Sequence, residues 1–348
     1  MKNAVSEGFK RALPSILDGN ITTLLTGIVL ASFGTGPIKG FATTLIIGIF
    51  TSMFAALVVT RLIMVFFMDR DKNINFSTKI TEKWFTKINF PFVAKRKLFY
   101  LLSGAVITIG LISMFTRGLD LGVDFQGGRQ FKVEFEGEAN PEAVATSLTD
   151  EFEGAPIVKR VDNKRTVLIT TTYRITESSD TVNSEVEKLV QTGLAEFGTT
   201  TIVESKMIAP TISKDLRSNS IYAVIFSLII IFLYILLRFR KWQYGLGATL
   251  SLAHDVLIVL GLFSIFWGVL PFSLEIDQAF IAAILTVVGY SINDTVVVFD
   301  RVREYLGMYP KKEERVIINE AVNSTLGRTI NTSMTTFIVL LALFVMGG

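Results

Sequence analysis

The sequence predicts a polytopic α-helical membrane protein with one small α+β domain outside the membrane. Apolar runs of about 20 residues recur along the chain, and a helix of that length crosses about 30 Å of hydrocarbon. Half of the 348 residues are hydrophobic, which fits several such helices. One stretch, residues 117–218, contains no apolar run of this length and has strand-like and helix-like patterns instead.

About seven spans are predicted, and basic residues set their orientation. The spans are residues 13–33, 40–67, 98–116, 219–237, 245–269, 279–299 and 323–346. If the chain alternates, the basic flanks all fall on one side, with Lys10, Arg11, Arg70, Lys72, Lys95, Arg96, Lys97, Arg238, Arg240, Lys241, Arg301, Arg303, Lys311, Lys312 and Arg315. The opposite short loops, GTGPIKG and LPFSLEIDQ, contain one lysine between them. The N-terminus is therefore predicted to be cytoplasmic and residues 117–218 extracytoplasmic.

Residues 117–218 have the pattern of a compact α+β domain. RQFKVEFEGE and KRTVLITTTYRI are predicted strands, and TTTIVESKMIA is a further strand candidate. NPEAVATSLTDEFE and DTVNSEVEKLVQTGLAEFG have helical spacing and polar N-terminal starts. In GVDFQGG, the glycines are expected to make a tight turn into the first strand. The domain contains no catalytic constellation, so a binding or moving module is expected.

Composition excludes several kinds of site. The chain has no cysteine, which excludes disulfides and thiolate metal sites, and its single histidine argues against a histidine-rich metal site. No phosphate-loop or dinucleotide spacing occurs, so ATP hydrolysis by the chain itself is not expected. The sequence thus predicts no metal, no cofactor, no enzymatic activity and no nucleic-acid partner. Residues 68–97 are a basic cytoplasmic linker, either a solvated connector or an amphipathic helix on the membrane surface.

The first and last spans resemble each other. DGNITTLLTGI aligns with NTSMTTFIVLL through the TT pairs, which sets Asp18 against Asn331 and Asn20 against Ser333. Repeated halves are a common way to build transporters, with the functional site where the halves meet. On this interpretation the first two spans end a half whose beginning is absent, and one more helix is expected after the last span.

The candidate functional polar residues inside the predicted spans are Asp18, His254, Asp255, Asp294 and Arg328. A charged side chain at the centre of a span costs about 2.5–3.5 kcal/mol on insertion scales, so each one needs a partner or a function. By helical rise, Asp18, Asp294 and Arg328 lie about 9 Å inside the cytoplasmic boundary, and Asp255 lies about 16 Å inside it. These depths allow the groups to meet in one polar layer.

Asp294 and Arg328 are the natural pair in this layer, and two interpretations are open. If Arg328 neutralises Asp294, the two form a structural ion pair. If the pair opens, the desolvated carboxylate favours its protonated form and can take up a proton. Tyr290, one turn before Asp294 on the same helix face, and Asn293 are supporting polar groups. The pair His254–Asp255 is either a proton relay or a contact between helices.

Several of these segments resemble a known family. VGYSINDTVVVFDRVRE, LGRTINTSMTT, SLAHDV and LGVDFQGG are similar to signature segments of SecF, a membrane subunit of the preprotein translocase. LDGNITTLL and GTGPIKGFATTLIIGIFTSMF resemble the last two helices of SecD. The order is similar to that of fused SecD–SecF proteins, with SecD-like C-terminal helices at 1–67, the linker at 68–97, a first SecF-like helix at 98–116, the extracytoplasmic domain at 117–218 and further SecF-like helices at 219–348, the last helix missing.

The resemblance implies half of a pseudo-symmetric transporter fold of the resistance–nodulation–division superfamily, in the bacterial plasma membrane. It also implies an accessory role in which the proton-motive force drives late preprotein export. The implied partners are SecYEG, SecA, a YajC-like subunit, unfolded preprotein, membrane lipid and the missing SecD half. The family's essential acid falls on Asp294 and its essential arginine on Arg328, while Asp18 matches the DxNxTT of the SecD tail.

Two alternatives to this function stay open. A proton-driven exporter of small molecules or lipids has the same fold and also uses buried acids. A passive assembly factor of the translocon would use Asp294 and Arg328 only to hold helices in register.

Overall fold

The structure, a computed structural model, describes residues 2–70, 88–161, 164–177, 179–270 and 274–346. Most of the predicted linker, residues 71–87, lies outside the described residues, and with it the choice between a connector and a surface helix. The chain forms two compact units. The first unit contains the described residues up to Thr108, Ala223–Leu257 and those from Ala282 onward, and the second contains Ile109–Tyr222 and Ile258–Ile281.

Helices dominate the described chain. In order they are α1 (Lys2–Phe33), α2 (Gly36–Phe54), a π-helical turn (Ala55–Val59), α3 (Thr60–Asp69), α4 (Arg96–Thr116), α5 (Val123–Gln126), α6 (Pro141–Ser147), α7 (Asp180–Gly193), α8 (Pro210–Phe239), α9 (Trp242–Phe266), α10 (Gln278–Met308) and α11 (Glu314–Met346). Among the described residues, seven segments are long and apolar enough to span a membrane, with α2, the π-helical turn and α3 contributing to a single one. The predicted fold class is confirmed. Helices α1, α8, α10 and α11 extend beyond the predicted spans because their polar ends continue the helical hydrogen bonding.

The α+β domain contains a four-stranded antiparallel sheet. Its strands are β1 (Gly128–Phe135), β2 (Ile157–Arg160), β3 (Thr166–Thr171) and β4 (Thr200–Ile208), in the order β2-β3-β1-β4. Because α6 follows β1 and α7 follows β3, the chain order is β-α-β-β-α-β, a split arrangement. The sequence does not predict β2, since this strand has four residues and none of them is buried.

One face of the sheet packs against α6 and α7. The inward side chains of β1 recur at every second residue, as the alternation in the sequence predicts, and they are Phe131, Val133 and Phe135. The inward side chains of α7 recur every four residues, at Val182, Val186 and Val190. The two helices begin where Asn140 and Ser179 accept hydrogen bonds from backbone amides of the first turn. The spacing of the inward side chains and the N-terminal caps of the two helices therefore both agree with the fold of the domain.

Two glycines make the turn into β1. Gly127 has φ of 78° and Gly128 has φ of 147°, which side chains with a Cβ rarely adopt. A Cβ on Gly128 would also lie 3.2 Å from the carbonyl oxygen of Thr171. The predicted tight turn is present, and residues Val123–Gln126 before it form the single turn of α5.

A buried arginine fixes the loop between β3 and α7. Arg129 is 2% exposed, and its guanidinium donates to the carbonyl oxygens of Tyr173 at 3.3 Å, Arg174 at 3.2 Å and Glu177 at 2.5 Å. It also donates to the side chain of Asn183 on α7. Burial lowers the pKa of Arg129, an effect to which the nearby Arg174 adds. The full set of acceptors compensates the burial of this charge.

The described end of the linker is anchored on α11. The side chain of Asn323 accepts from the Phe90 amide at 2.8 Å and donates to the Phe90 carbonyl at 2.9 Å. One turn earlier, Asn319 accepts from the Val93 amide at 3.2 Å. Residues four apart share a helix face, so the two asparagines together bind the segment that contains Phe90 and Val93.

Within the second unit, α4 and α9 approach each other through glycines. A Cβ on Gly110 would lie 2.8 Å from the Cα of Gly261, and a Cβ on Gly261 would lie 2.9 Å from the Cα of Gly110. Nearby, the hydroxyls of Ser113 and Ser264 are hydrogen-bonded at 2.9 Å. Small residues let membrane helices approach closely enough for such polar contacts.

Replacing Gly110 by leucine is expected to lower the free energy of unfolding by about 1–3 kcal/mol, because the new side chain meets backbone that cannot rotate away. Gly104→Leu on the same helix is the matched control, since a Cβ there would meet nothing within 4 Å. Thermal unfolding in detergent should show a lower midpoint for Gly110→Leu only. Equal midpoints for the two variants would contradict the close helix contact.

Candidate functional site

Asp294 lies on α10 and faces α11. The hydroxyl of Thr332 donates to its carboxylate, with distances of 3.2 Å to Oδ1 and 3.4 Å to Oδ2. The same hydroxyl lies 3.1 Å from the carbonyl oxygen of Arg328 and 2.9 Å from that of Thr329. A hydroxyl has a single hydrogen to donate, so the carboxylate competes with the backbone of α11 for it. Asp294 is therefore held by one shared and rather long hydrogen bond.

Arg328 acts on Asp294 through space and forms no hydrogen bond or ion pair with it. It lies on α11 one turn before Thr332, and its side chain is exposed on the described chain. The two residues are therefore not in a direct ion pair in this structure, and proton uptake by Asp294 stays a prediction. The two charges are close enough to interact electrostatically.

Asn293 and Asp294 contact different neighbours, although they are adjacent in sequence. A Cβ on Gly19 of α1 would lie 2.0 Å from Oδ1 of Asn293, so the asparagine packs directly against the glycine. A second contact joins the same two helices, because the hydroxyl of Thr23 on α1 lies 3.3 Å from the carbonyl oxygen of Gly289 on α10. Asn293 therefore joins α10 to α1, while Asp294 joins α10 to α11.

Tyr290 forms no hydrogen bond with Asp294. It lies one turn earlier on α10, where its side chain is 57% exposed, and among the described residues it makes no hydrogen bond. The shared helix face alone therefore does not bring its hydroxyl to the carboxylate.

Asp18 forms an ion pair with an arginine that the sequence analysis assigns only to a basic flank. Nε of Arg238 on α8 lies 2.7 Å from both carboxylate oxygens, and the hydroxyl of Tyr234 donates to Oδ1 at 2.7 Å. Asp18 itself is 4% exposed. Tyr234 and Arg238 are four residues apart and so share a face of α8. That spacing was the available signal for this pair.

His254 and Asp255 link α9 to two other helices. The imidazole contacts the hydroxyl of Ser103 on α4 through Nε2 and lies 2.9 Å from Oδ1 of Asp255 through Nδ1. The other carboxylate oxygen accepts from Ser291 of α10 at 2.6 Å. The result is a continuous polar chain, Ser103–His254–Asp255–Ser291, whose two serines the sequence analysis does not identify.

The predicted single polar layer is divided into separate contacts arranged around α10. This helix provides Ser291 to Asp255, Asn293 to Gly19 and Asp294 to Thr332, while Asp18 pairs with α8. Among the described residues, no hydrogen bond or ion pair joins Asp18, Asp255 and Asp294 to one another. In the same part of the chain, no group of three or more His, Cys, Asp or Glu side chains is placed to hold a metal ion.

Comparison with known proteins identifies the family. Residues 189–348 match the family described as "Protein export membrane protein SecD/SecF, C-terminal", and residues 112–139 match the SecD/SecF GG motif. The protein translocase subunit SecF of Rhodothermus marinus is 44% identical over 266 residues, which cover 76% of this chain and 84% of that protein. The chain belongs to the SecD/SecF family.

The SecD/SecF assignment extends to fused relatives. The protein translocase subunit SecDF of Brucella abortus is 35% identical and matches 99% of this chain with 44% of its own length. A crystal structure of SecDF from Thermus thermophilus, described as a translocon-associated membrane protein, matches all of this chain with a TM-score of 0.86 at 31% identity. A SecDF structure in a super-membrane-facing form gives a TM-score of 0.71 at the same identity. This chain spans less than half the length of the SecDF proteins that it matches.

Proposed function

We propose that this chain is part of an accessory subunit of the bacterial Sec protein translocase, which uses the proton-motive force to promote late-stage preprotein export. Asp294 is the group that takes up and releases the proton, and Arg328 is the cation that stabilises its charged state. The observation that carries this proposal is that the Asp294 carboxylate, inside an apolar span, is weakly held. Within the described part of the chain, the hydroxyl of Thr332 donates to it and no cationic side chain forms an ion pair with it.

The three carboxylates of the spans differ in a way that supports this choice. The Asp18 carboxylate is hydrogen-bonded to an arginine and a tyrosine, and the Asp255 carboxylate to a histidine and a serine. A carboxylate with such partners cannot accept a proton without losing strong charge-assisted contacts. For Asp294, the hydrogen-bond partner among the residues that the structure describes is the neutral hydroxyl of Thr332. Protonating Asp294 therefore breaks fewer contacts than protonating Asp18 or Asp255.

Proton uptake at Asp294 also has a structural consequence. Once the carboxyl is neutral, the Thr332 hydroxyl can return its hydrogen to the carbonyl oxygen of Thr329 or Arg328. The attraction of Arg328 for the site ends at the same time. Both changes weaken the link between α10 and α11, so protonation and helix displacement are coupled in this mechanism.

The family and the basic flanks support a proposed placement in the cell. We place the chain in the bacterial plasma membrane with its N-terminus in the cytoplasm and the α+β domain on the outer side. Preprotein would emerge on that side, after SecA and SecYEG have moved it across the membrane. A YajC-like subunit is a further expected partner.

The SecD half is the expected neighbour of α11. The apolar second half of this helix is exposed on the described chain, with Met334, Phe337, Ile338, Leu340, Leu341 and Phe344 between 46% and 62% exposed. The fused relatives are more than twice as long as this chain. Helices of the SecD half and membrane lipid together would cover this surface.

Export of a secreted reporter by the complete protein tests the proposal. The wild type is expected to speed export only when a proton gradient is present, and Asp294→Asn is expected to lose this gain at matched expression. Asp300→Asn is the matched control on the same helix, because Asp300 already has Ser15 and Arg303 as partners. If Asp294→Asn keeps the full gain, proton coupling through this residue is wrong. A passive assembly factor is then the better description.

A further inference from the structure

The segment that leads into α10 pairs with the segment that leads into the α+β domain. Leu121 and Ile276 form a parallel β-bridge. The Ile276 amide donates to the carbonyl oxygen of Asp120 at 2.7 Å, and the Gly122 amide donates to the carbonyl oxygen of Ile276 at 3.0 Å. Both segments belong to the second unit. Backbone hydrogen bonds therefore connect the segment before α10 to the segment that enters the α+β domain.

The buried side chain of Asp124 adds a further contact to these backbone hydrogen bonds. Its side chain is 2% exposed, and Oδ2 accepts a hydrogen bond from the amide of Gln278, the first residue of α10, at 3.1 Å. Its other oxygen, Oδ1, forms an ion pair with Lys206 of β4 at 2.7 Å. A single carboxylate therefore contacts both the sheet and a free amide at the positive end of a long helix.

A second ionic contact lies beside the first. Lys159 of β2 binds Asp120 at 2.6 Å and Glu275 at 2.8 Å. Burial disfavours the charged lysine, but its hydrogen bonds to the two carboxylates outweigh this effect and raise the pKa of Lys159 above its ordinary value. The ammonium therefore stays charged at neutral pH. Strands β2 and β4, the two edges of the sheet, are both connected to the start of α10.

We propose that Asp124 is a positioning residue that transmits displacement of the α+β domain to α10. The helix runs without a break from Gln278 to Met308, and Asp294 lies about 24 Å along it from the capped end. In this proposal, a shift or rotation of the capped end is carried along the continuous helix that also contains Asp294. The predicted effect on export rests on the proposed function. The mechanical link itself stands on the contacts of Asp124.

The link differs from an ordinary helix cap in what it joins. A cap from the residue before a helix fixes only the local turn, and Asp277 already provides one by accepting from the Phe280 amide at 2.8 Å. Asp124 comes from a different element and is held in turn by β4. Removing it leaves the local cap in place and cuts one direct contact between sheet and helix.

Amide hydrogen exchange of the complete protein tests the link independently of export. Asp124→Ala is expected to increase exchange at residues 278–284 of α10 as well as in β4, and Asp124→Asn is expected to have a smaller effect because its side-chain oxygen can still accept from Gln278. Asp150→Ala is the control, since Asp150 is an exposed aspartate of the same domain. If exchange rises in β4 and stays unchanged in α10, Asp124 does not transmit displacement and the proposal is wrong.

Reporter export gives the functional half of the test. At equal thermal stability, Asp124→Ala is expected to lose most of the gradient-dependent gain while keeping export without a gradient. A full gain in Asp124→Ala, measured beside a complete loss in Asp294→Asn, would overturn the coupling role while leaving proton coupling intact. If Asp294→Asn itself keeps the gain, the proposed function fails, and hydrogen exchange alone decides whether the link exists.

Discussion

Asp18→Ala is expected to lower the free energy of unfolding by about 2–4 kcal/mol, because removing one partner of a buried ion pair leaves the other charge uncompensated. Asp18 accepts three contacts at 2.7 Å from Arg238 and Tyr234. The Arg238 side chain is 26% exposed, so it can reach water in part, and the expected loss stays below that for a fully buried pair. Thermal unfolding in detergent measures the effect.

A second replacement separates lost charge compensation from lost packing. Arg238→Met added to Asp18→Ala is expected to recover a large part of the stability, since the uncompensated charge is then gone. Tyr234→Phe removes a single hydrogen bond to the carboxylate and should cost less than Asp18→Ala. The pair is not a main stabilising contact if Asp18→Ala unfolds at the wild-type temperature, or if the double variant is as unstable as the single one.

Replacing Asp294 by leucine and Arg328 by methionine together is expected to abolish gradient-dependent export while leaving the fold intact. Apolar residues of similar volume often replace a charge pair in an apolar environment without loss of stability. Here the charges are not bonded to each other, so little structural energy is lost with them. Unfolding temperature and reporter export are measured on the same preparations.

The double variant separates the two interpretations of this pair. A fixed structural role predicts that a matched apolar pair restores both stability and export. A proton carrier predicts wild-type stability with no gradient-dependent gain. Retention of the gain in the double variant would falsify the role of Asp294 in proton transfer.

The fold could be predicted largely from the sequence, because apolar length and strand alternation are local signals. Runs of apolar residues indicate spans directly, and the alternation in RQFKVEF indicates the buried face of β1. β2 could not be predicted, since four partly exposed residues give too short a pattern. The ends of the long helices were also missed, because polar residues continue a helix without changing its hydrogen bonding.

The candidate site could be predicted only in part, because partners depend on which helices pack together. The positions of Asp18, Asp255 and Asp294 in apolar runs indicate that each one needs a partner, but not which one. Arg238 has the same flanking position as the arginines that set orientation, so sequence alone does not distinguish it as the partner of Asp18. The different partners of Asn293 and Asp294 likewise depend on the packing of α1 and α11 against α10.

Infrared difference spectroscopy of the complete protein in lipid vesicles is the most direct test of whether Asp294 binds the transported proton. As pH changes, the wild type is expected to show a protonated-carboxyl band that is absent from Asp294→Asn and unchanged in Asp300→Asn. Loss of this band in the Asn variant, together with loss of gradient-dependent export, is the predicted result. A spectrum in which the Asn substitution removes no titrating band would contradict proton binding at Asp294.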